Sequence, residues 1–403
     1  MIMKKKYTYI DLFAGCGGLS LGLLNSGWTG VFAIEKNCDA FETLDYNLIK
    51  KKEHYEWPTW LPKKNHDINQ VLNNNRKNLI KLKGKIDLVA GGPPCQGFSY
   101  AGRRKENDER NKLIDSYLNF IELVKPKFIF FENVKGFTLE FKNNNEIGKN
   151  YSFDVIKKLC DLGYNIHGRL IDFSKYGVPQ RRTRFILVGV QKEFDKSDDM
   201  PKLFFEILEK NKFDFLKNKG LTDFVTLEEA ISDLLEENGT ASCPDSIGFK
   251  SAKYSNAKTS FQKYLRDGIL KESIPDSHRL VNHSQEIKKR FQYAIDNNLG
   301  PKEYRTHFNL SKTGTKKLSA DDPAPTLTTL PDDYIHYQEP RVFTVREFAR
   351  IQSFPDWYEF KGRYTTGGKL RVKQVPRYTQ VGNAVPPLFA EIVGQSFKEI
   401  INA

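Results

Sequence analysis

Across residues 7–190, short β-branched and aromatic runs alternate with helical patterns, and that rhythm leaves few folds open. The strand-like runs are Tyr7–Phe13, Val31–Glu35, Ile86–Gly91, Lys127–Val134 and Arg184–Val190. Each is almost continuously apolar, as expected of strands covered on both faces by helices. Between them, Gly18–Asn25, Asp39–Leu48, Leu113–Val124 and Phe153–Leu162 carry helical spacing; Leu113, Tyr117, Phe120, Ile121 and Val124 fall on one side of the third. The expectation is an α/β fold, a doubly wound and mostly parallel sheet.

A chain of 403 residues leaves room for a second domain, and the texture changes after Gln191. Residues 191–250 hold 8 Lys against 14 Asp+Glu, whereas 251–320 hold 14 Lys+Arg against 6 Asp+Glu. With a formal charge of +13 overall, this local basic surface favours a polyanionic partner, and 251–320 is the stretch expected to face it. A solvated lysine-rich face explains the same charges, so composition alone does not choose. No apolar run approaches the ~20 residues that span a bilayer. Residues Met1–Lys6 lead straight into a strand pattern, without a secretion signal. Five cysteines, without paired spacing, argue for a reducing compartment and against disulfides or a zinc site.

Four strand ends carry chemistry. The first runs Asp11-Leu-Phe-Ala-Gly-Cys-Gly-Gly18 into a helix, and Glu35 ends the next strand. Glycines at such a turn let a ligand approach the backbone, and a carboxylate about 20 residues on can accept ribose hydroxyls. The turn lacks the Gly-x-Gly-x-x-Gly of dinucleotide binding and a following Lys-Ser/Thr, which disfavours NAD and ATP. The third strand ends in Ala90-Gly-Gly-Pro-Pro-Cys-Gln-Gly-Phe-Ser99, placing Cys95 where open α/β sheets bind ligands and where a thiolate can be a nucleophile. The polar run 101–110 that follows has the composition of a mobile loop able to bring arginines to phosphates. Glu132 ends the fourth strand, where a carboxyl beside apolar residues can donate a proton. Arg182 and Arg184, two apart at the entrance to the fifth, are expected to share a face.

Taken in order, Asp11-Leu-Phe-Ala-Gly, Pro93-Pro-Cys-Gln, Glu132-Asn-Val, Gln180-Arg-Arg-Thr-Arg and Gly382-Asn-Ala-Val-Pro closely resemble the DNA (cytosine-5)-methyltransferase family. Arg346-Glu-Phe-Ala-Arg-Ile-Gln-Ser-Phe-Pro-Asp356 resembles its block ahead of the C-terminal helix. The resemblance covers 7–190 and roughly 321–403. It implies a catalytic domain at 1–190, a smaller target-recognition domain at 191–325, a joining segment at 326–375, and a C-terminal helix at 376–403 that returns to pack beside the first strand.

The resemblance further implies S-adenosylmethionine as cofactor and no metal. Phe13, Ala14, Gly15, Gly17, Gly18 and Leu19 would surround it, with Glu35 on the ribose, and Lys36, Asp67 and Ile68 at the adenine. Pro94, Leu113, Asn383, Ala384 and Val385 match further pocket positions. Cys95, Glu132, Arg182 and Arg184 would be catalytic, and Gln96, Ser99, Arg103, Arg104 and Arg110 would contact DNA. The implied partner is double-stranded DNA, the implied state a monomer in the bacterial cytoplasm at the nucleoid, with a companion restriction endonuclease as an option. A transfer-RNA methyltransferase of the same family, a catalytically silent DNA-binding regulator and a nicotinamide oxidoreductase are the competing readings. The DNA sequence recognised, and which of residues 251–320 read bases, are not legible in the sequence.

Overall fold

A computed structural model describes residues 6–94, 112–138, 142–143, 146–147, 151–195, 197, 199–270, 272–311, 315–366 and 374–402. The chain divides into two compact units, one of residues 1–172, 183–212 and 389–403, the other of 173–182 and 213–388.

The first unit is built on six strands: β1 (Thr8–Leu12), β2 (Thr29–Ile34), β3 (Leu88–Gly91), β4 (Phe128–Val134), β5 (Tyr164–Asp172) and β6 (Thr183–Gln191), in the order β2-β1-β3-β4-β6-β5. The first four run parallel, and β6 is antiparallel to both of its neighbours. All five expected strands are present, and the expected mostly parallel α/β sheet is what the chain forms. β1 lies between β2 and β3, so successive crossovers leave it in opposite directions and open a crevice at its carboxyl end.

Period-two alternation sends the strands' side chains to two buried faces. Ile10, Leu12, Ile129 and Phe131 join one core, together with Ile68 and Val71 of α1 (Ile68–Asn74) and Tyr117, Phe120, Ile121 and Val124 of α2 (Lys112–Val124). On the other face, Phe397 packs its ring on Phe128 and Phe130. Phe397 belongs to the C-terminal helix Pro387–Asn402, whose Gly394 carbonyl accepts the Trp28 indole N–H at 2.9 Å. The Tyr7 hydroxyl, one residue ahead of β1, donates to Asn402 at 2.9 Å, so the last helix does return beside the first strand. The helix expected over 39–48 is α-helical only at Cys38–Leu44 and continues as a π-helical run, Asp45–Lys51. There the buried Asn47 amide donates to the Thr43 carbonyl, interrupting the regular ladder.

The second unit has only two-stranded ladders among its described residues: Thr240–Ser242 with Lys250–Ala252, Lys316–Lys317 with Tyr334–Ile335, and Gln180–Arg181 with Ala324–Pro325. At its centre the helix Val345–Ile351 is buried on every side and opens with a capping box between Thr344 and Glu347. Its Arg350 guanidinium is enclosed by Asp233 and Asp356, and its Arg346 donates to Asp276. Guanidinium–carboxylate pairs thus occupy space that aliphatic side chains fill in the first unit.

Candidate active site

At the carboxyl end of β1 the chain turns sharply. Phe13 adopts φ 61°, a left-handed conformation that non-glycine residues seldom take, and Gly15 follows at φ 56°. The Ala14 N–H donates to the Ile34 carbonyl, tying the turn to the end of β2. Glu35 then gathers the turn: its two carboxylate oxygens accept the N–H groups of Gly15 at 2.9 Å and Asn37 at 2.7 Å. Burial raises the Glu35 carboxyl above the usual carboxylate range, and these backbone donors oppose the rise.

The segment entering Ile68–Asn74 closes against the same corner. The His66 N–H donates to the Glu35 carbonyl at 2.7 Å, and Lys36 pairs with Asp67 at 2.8 Å. Partial burial would raise Asp67, but the Lys36 ammonium and the N–H of Asn69 outweigh it and hold the carboxyl below its usual range. Ile68 is buried behind this pair. Cys16, Gly17, Gly18 and Leu19 are buried, whereas Phe13 and Gly15 keep partial exposure. A side chain placed on Gly15 would meet nothing within 4 Å, so the turn faces open space there.

Behind the turn is a buried polar chain that the sequence reading did not anticipate. Ser20 donates to Asp11 and shares a hydrogen bond of 2.6 Å with the Tyr55 hydroxyl, and the Tyr9 hydroxyl meets His54 Nε2 at 2.8 Å. Burial pushes Asp11 up to about 7, with the Ser20 hydroxyl opposing and the Glu35 carboxylate adding to the rise. Burial also holds His54 down to about 4, in the neutral form.

Two strands away, Glu132 of β4 meets Arg184 of β6, with Nε to Oε1 at 3.1 Å. Burial lowers Arg184 from the ordinary arginine range and the Glu132 carboxylate opposes that. This pair explains a glycine. A Cβ on Gly92 would lie 2.9 Å from Glu132 Oε2, so only glycine leaves the carboxylate its place. The Asn133 amide reaches the Pro93 carbonyl at 3.4 Å, holding the strand exit that leads through the exposed Pro94 to Cys95. Cys95 itself, with Gln96, Ser99, Arg103, Arg104 and Arg110, lies outside the described residues. Leu113 sits in the first turn of α2 and packs on the first unit's core.

The remaining expected site residues belong to the second unit. Arg182 is buried and donates to the Gly382 carbonyl at 3.0 Å, so it and Arg184 fall in different units although two residues apart. Asn383 ends the helix Arg377–Asn383, with Ala384 extended after it; Asn383 is exposed, and Ala384 and Val385 are half-buried. Asn37 and Asn133 were the site residues hardest to see in advance. Asn37 carried a readable sign, a helix-capping residue two positions after Glu35.

Comparison with known proteins agrees with this geometry. A family model described as C-5 cytosine-specific DNA methylase matches residues 7–399. The Type II methyltransferase M.DdeI of Desulfomicrobium norvegicum is 31% identical, over 96% of this chain and 87% of its own length. M.PspPI of a Psychrobacter species is 32% identical, over 99% of this chain and 80% of its own. Among solved structures, a protein described as a DNA modification methyltransferase encoded within a prophage (E. coli) superposes with a TM-score of 0.66 at 24% identity, covering 99% of this chain and all of that one, a likeness of fold. With a sheet of this topology, a carboxylate-gathered glycine turn and a Glu–Arg pair between β4 and β6, the chain belongs to the C-5 cytosine-specific DNA methylase family, the DNA (cytosine-5)-methyltransferases.

Proposed function

We propose that this chain transfers a methyl group from S-adenosylmethionine to carbon 5 of a flipped cytosine in a short duplex sequence, through a covalent bond between Cys95 and carbon 6. The observation that carries the mechanism is the Glu132–Arg184 pair, held beside Gly92 three residues ahead of Cys95.

The glycine turn fits the cofactor. The Glu35 oxygens accept the N–H groups of Gly15, Asn37 and Lys36, and with four lone pairs between them they can also accept a ribose hydroxyl. The open space at Gly15 admits a ligand to the backbone, with Phe13, Ala14, Gly17, Gly18 and Leu19 around it. Lys36, Asp67, Ile68, Pro94, Leu113, Asn383, Ala384 and Val385 are the further cofactor contacts. Bound there, S-adenosylmethionine supplies an electrophilic methyl group.

Carbon 5 of cytosine is too weak a nucleophile to take that methyl unaided. The Cys95 thiolate adds to carbon 6 while Glu132 gives a proton to ring nitrogen 3, which places electron density on carbon 5. After methylation, loss of the carbon 5 proton expels the thiolate, and Glu132 recovers its proton. Arg184 orients the base and stabilises charge as it develops, and Arg182 acts in support. A base inside a duplex cannot reach these groups, so the cytosine leaves the stack, and Gln96, Ser99, Arg103, Arg104 and Arg110 hold the DNA around it. A monomer is sufficient for one flipped base. The enzyme works in the bacterial cytoplasm at the nucleoid, and the Type II names of the relatives favour a companion endonuclease for the same sequence.

A duplex carrying fluorine in place of hydrogen at cytosine carbon 5 tests the covalent step, because the final elimination then has no proton to lose. The chain should form a cofactor-dependent DNA adduct that survives denaturing electrophoresis, and Cys95→Ser should form none. An equal yield of adduct from the serine variant would place the nucleophile elsewhere.

A further inference from the structure

We infer that Gln180 and Gln352 form a two-amide positioning device that holds the turn Val381–Val385 in shape and thereby sets the affinity for the cofactor; this rests on the reading that Asn383, Ala384 and Val385 contact it. Both side chains are 0% exposed and lie in the second unit. The Leu327 N–H donates to Gln180 Oε1 at 3.0 Å, and Gln180 Nε2 donates to Gln352 Oε1 at 2.8 Å. Gln352 Nε2 in turn donates to the Val381 carbonyl at 2.8 Å and reaches the Ala384 carbonyl at 3.4 Å.

The chain has one direction. A backbone donor stands at one end and backbone acceptors at the other, so reversing either amide would set donor against donor or acceptor against acceptor. Neither glutamine can turn away, since both are fully buried and a lost partner there leaves a polar group unsatisfied.

These carbonyls stand at the C-terminal end of the helix Arg377–Asn383, where the Val381 carbonyl also accepts the Ala384 N–H at 3.1 Å. The peptide between them is held from two further directions. Arg182 donates to the Gly382 carbonyl at 3.0 Å, and a Cβ on Gly382 would stand 2.7 Å from the Thr328 carbonyl oxygen. The carbonyls of Val381, Gly382 and Ala384 are therefore each met by a side-chain donor, while Asn383 is left exposed. A loop that needed only to be buried would not require three side-chain hydrogen bonds from two donors; a loop that must present Asn383, Ala384 and Val385 in one arrangement does. Gln180 and Gln352 touch neither cofactor nor base in this account and act through that turn.

Calorimetric titration of S-adenosylmethionine into the full-length protein separates positioning from simple structural support. Gln352→Met and Gln180→Met keep the length and flexibility of glutamine and remove its hydrogen bonds. Each should raise Kd by about tenfold, the consequence of freeing buried carbonyls or the Leu327 N–H, with the number of sites per chain at the wild-type value. The double variant should bind no more weakly than the weaker single, because both break the same chain. Fewer sites per chain at unchanged Kd in both variants would reduce the pair to fold maintenance and overturn the inference. Asn383→Ala is the control. Weakened binding there with wild-type Kd in both methionine variants defeats the positioning role alone. Unchanged binding in Asn383→Ala removes the turn from the cofactor site and defeats both readings.

Discussion

In the first unit, Asp11 and Glu35 are withdrawn from water beside the glycine turn with hydroxyl and N–H donors around them. In the second, Asp233 and Asp356 are buried against Arg350, and Glu347 against Arg341. The consequences are opposite in sign. Burial raises Asp11 to about 7 and Glu35 above the carboxylate range. Burial would raise Glu347 too, but the Arg341 guanidinium holds it down at about 2. A carboxylate without a cation keeps lone pairs and a changeable charge that a ligand can complete. One whose two oxygens are both engaged by a buried guanidinium, as Glu347 is by Arg341, holds the structure. The difference teaches where to look for chemistry in this chain: at the carboxylates of the sheet's crevice, not at the more heavily charged centre of the second unit.

Removing a guanidinium is the strongest way to break that comparison. Arg350 is 0% exposed and makes five hydrogen bonds, four of them to Asp233 and Asp356 and one to the Ala230 carbonyl. Arg350→Leu would leave Asp233 to Arg266 and Asp356 to the Tyr254 hydroxyl and the more distant Arg346, at a cost of about 3 kcal/mol. Thermal unfolding of the second unit should move down by on the order of 10 °C. A shift of a degree or two, read by calorimetry, would mean that the buried pairs are not what holds that unit together.

The pH dependence sharpens the same contrast with a smaller effect. Folded Asp11 keeps its proton to about pH 7, whereas the unfolded chain releases it near pH 4. The folded state therefore binds more protons across that window, and stability from this group, fully present below it, is lost as pH rises towards 7. Asp11→Asn cannot titrate and still offers an oxygen to Ser20. Its melting temperature should gain on the wild type between pH 5 and pH 8, by a few degrees. His278 and His336 of the second unit, held by burial at about 4 and about 3, act in the opposite sense: they cost stability as pH falls below 6.5. They are common to both proteins and cancel in the difference. Parallel melting curves across this range would show that Asp11 is ionised throughout.

Much of the first unit was legible because its signals are local. Each central strand is a continuous apolar run, and the glycine turn, Glu35 and Glu132 stand at or near carboxyl ends of strands, where sheet topology places a ligand, with Arg184 at the start of the antiparallel β6. β5 was missed because it is an edge strand: Tyr164-Asn-Ile-His-Gly-Arg-Leu-Ile-Asp172 is half-buried and lacks such a run. The glycine turn and Glu35 were visible as a pair, but Tyr55 and His54 behind Asp11 were not, since nothing local links residues so far apart in sequence. The second unit was opaque for the complementary reason. Its core charges read as surface composition, because Asp233 and Arg350 reveal their burial only once 117 residues of chain have brought them together. Arg182 and Arg184 show the limit of spacing arguments: two positions apart, they serve different units.

The most direct test of the whole account is bisulfite sequencing of plasmid DNA from cells that express this chain, beside cells that express Cys95→Ser. Cytosines protected at one short recurring sequence in the first sample and unprotected in the second are the predicted result. Uniform conversion in both samples, with the protein folded and present, would contradict it.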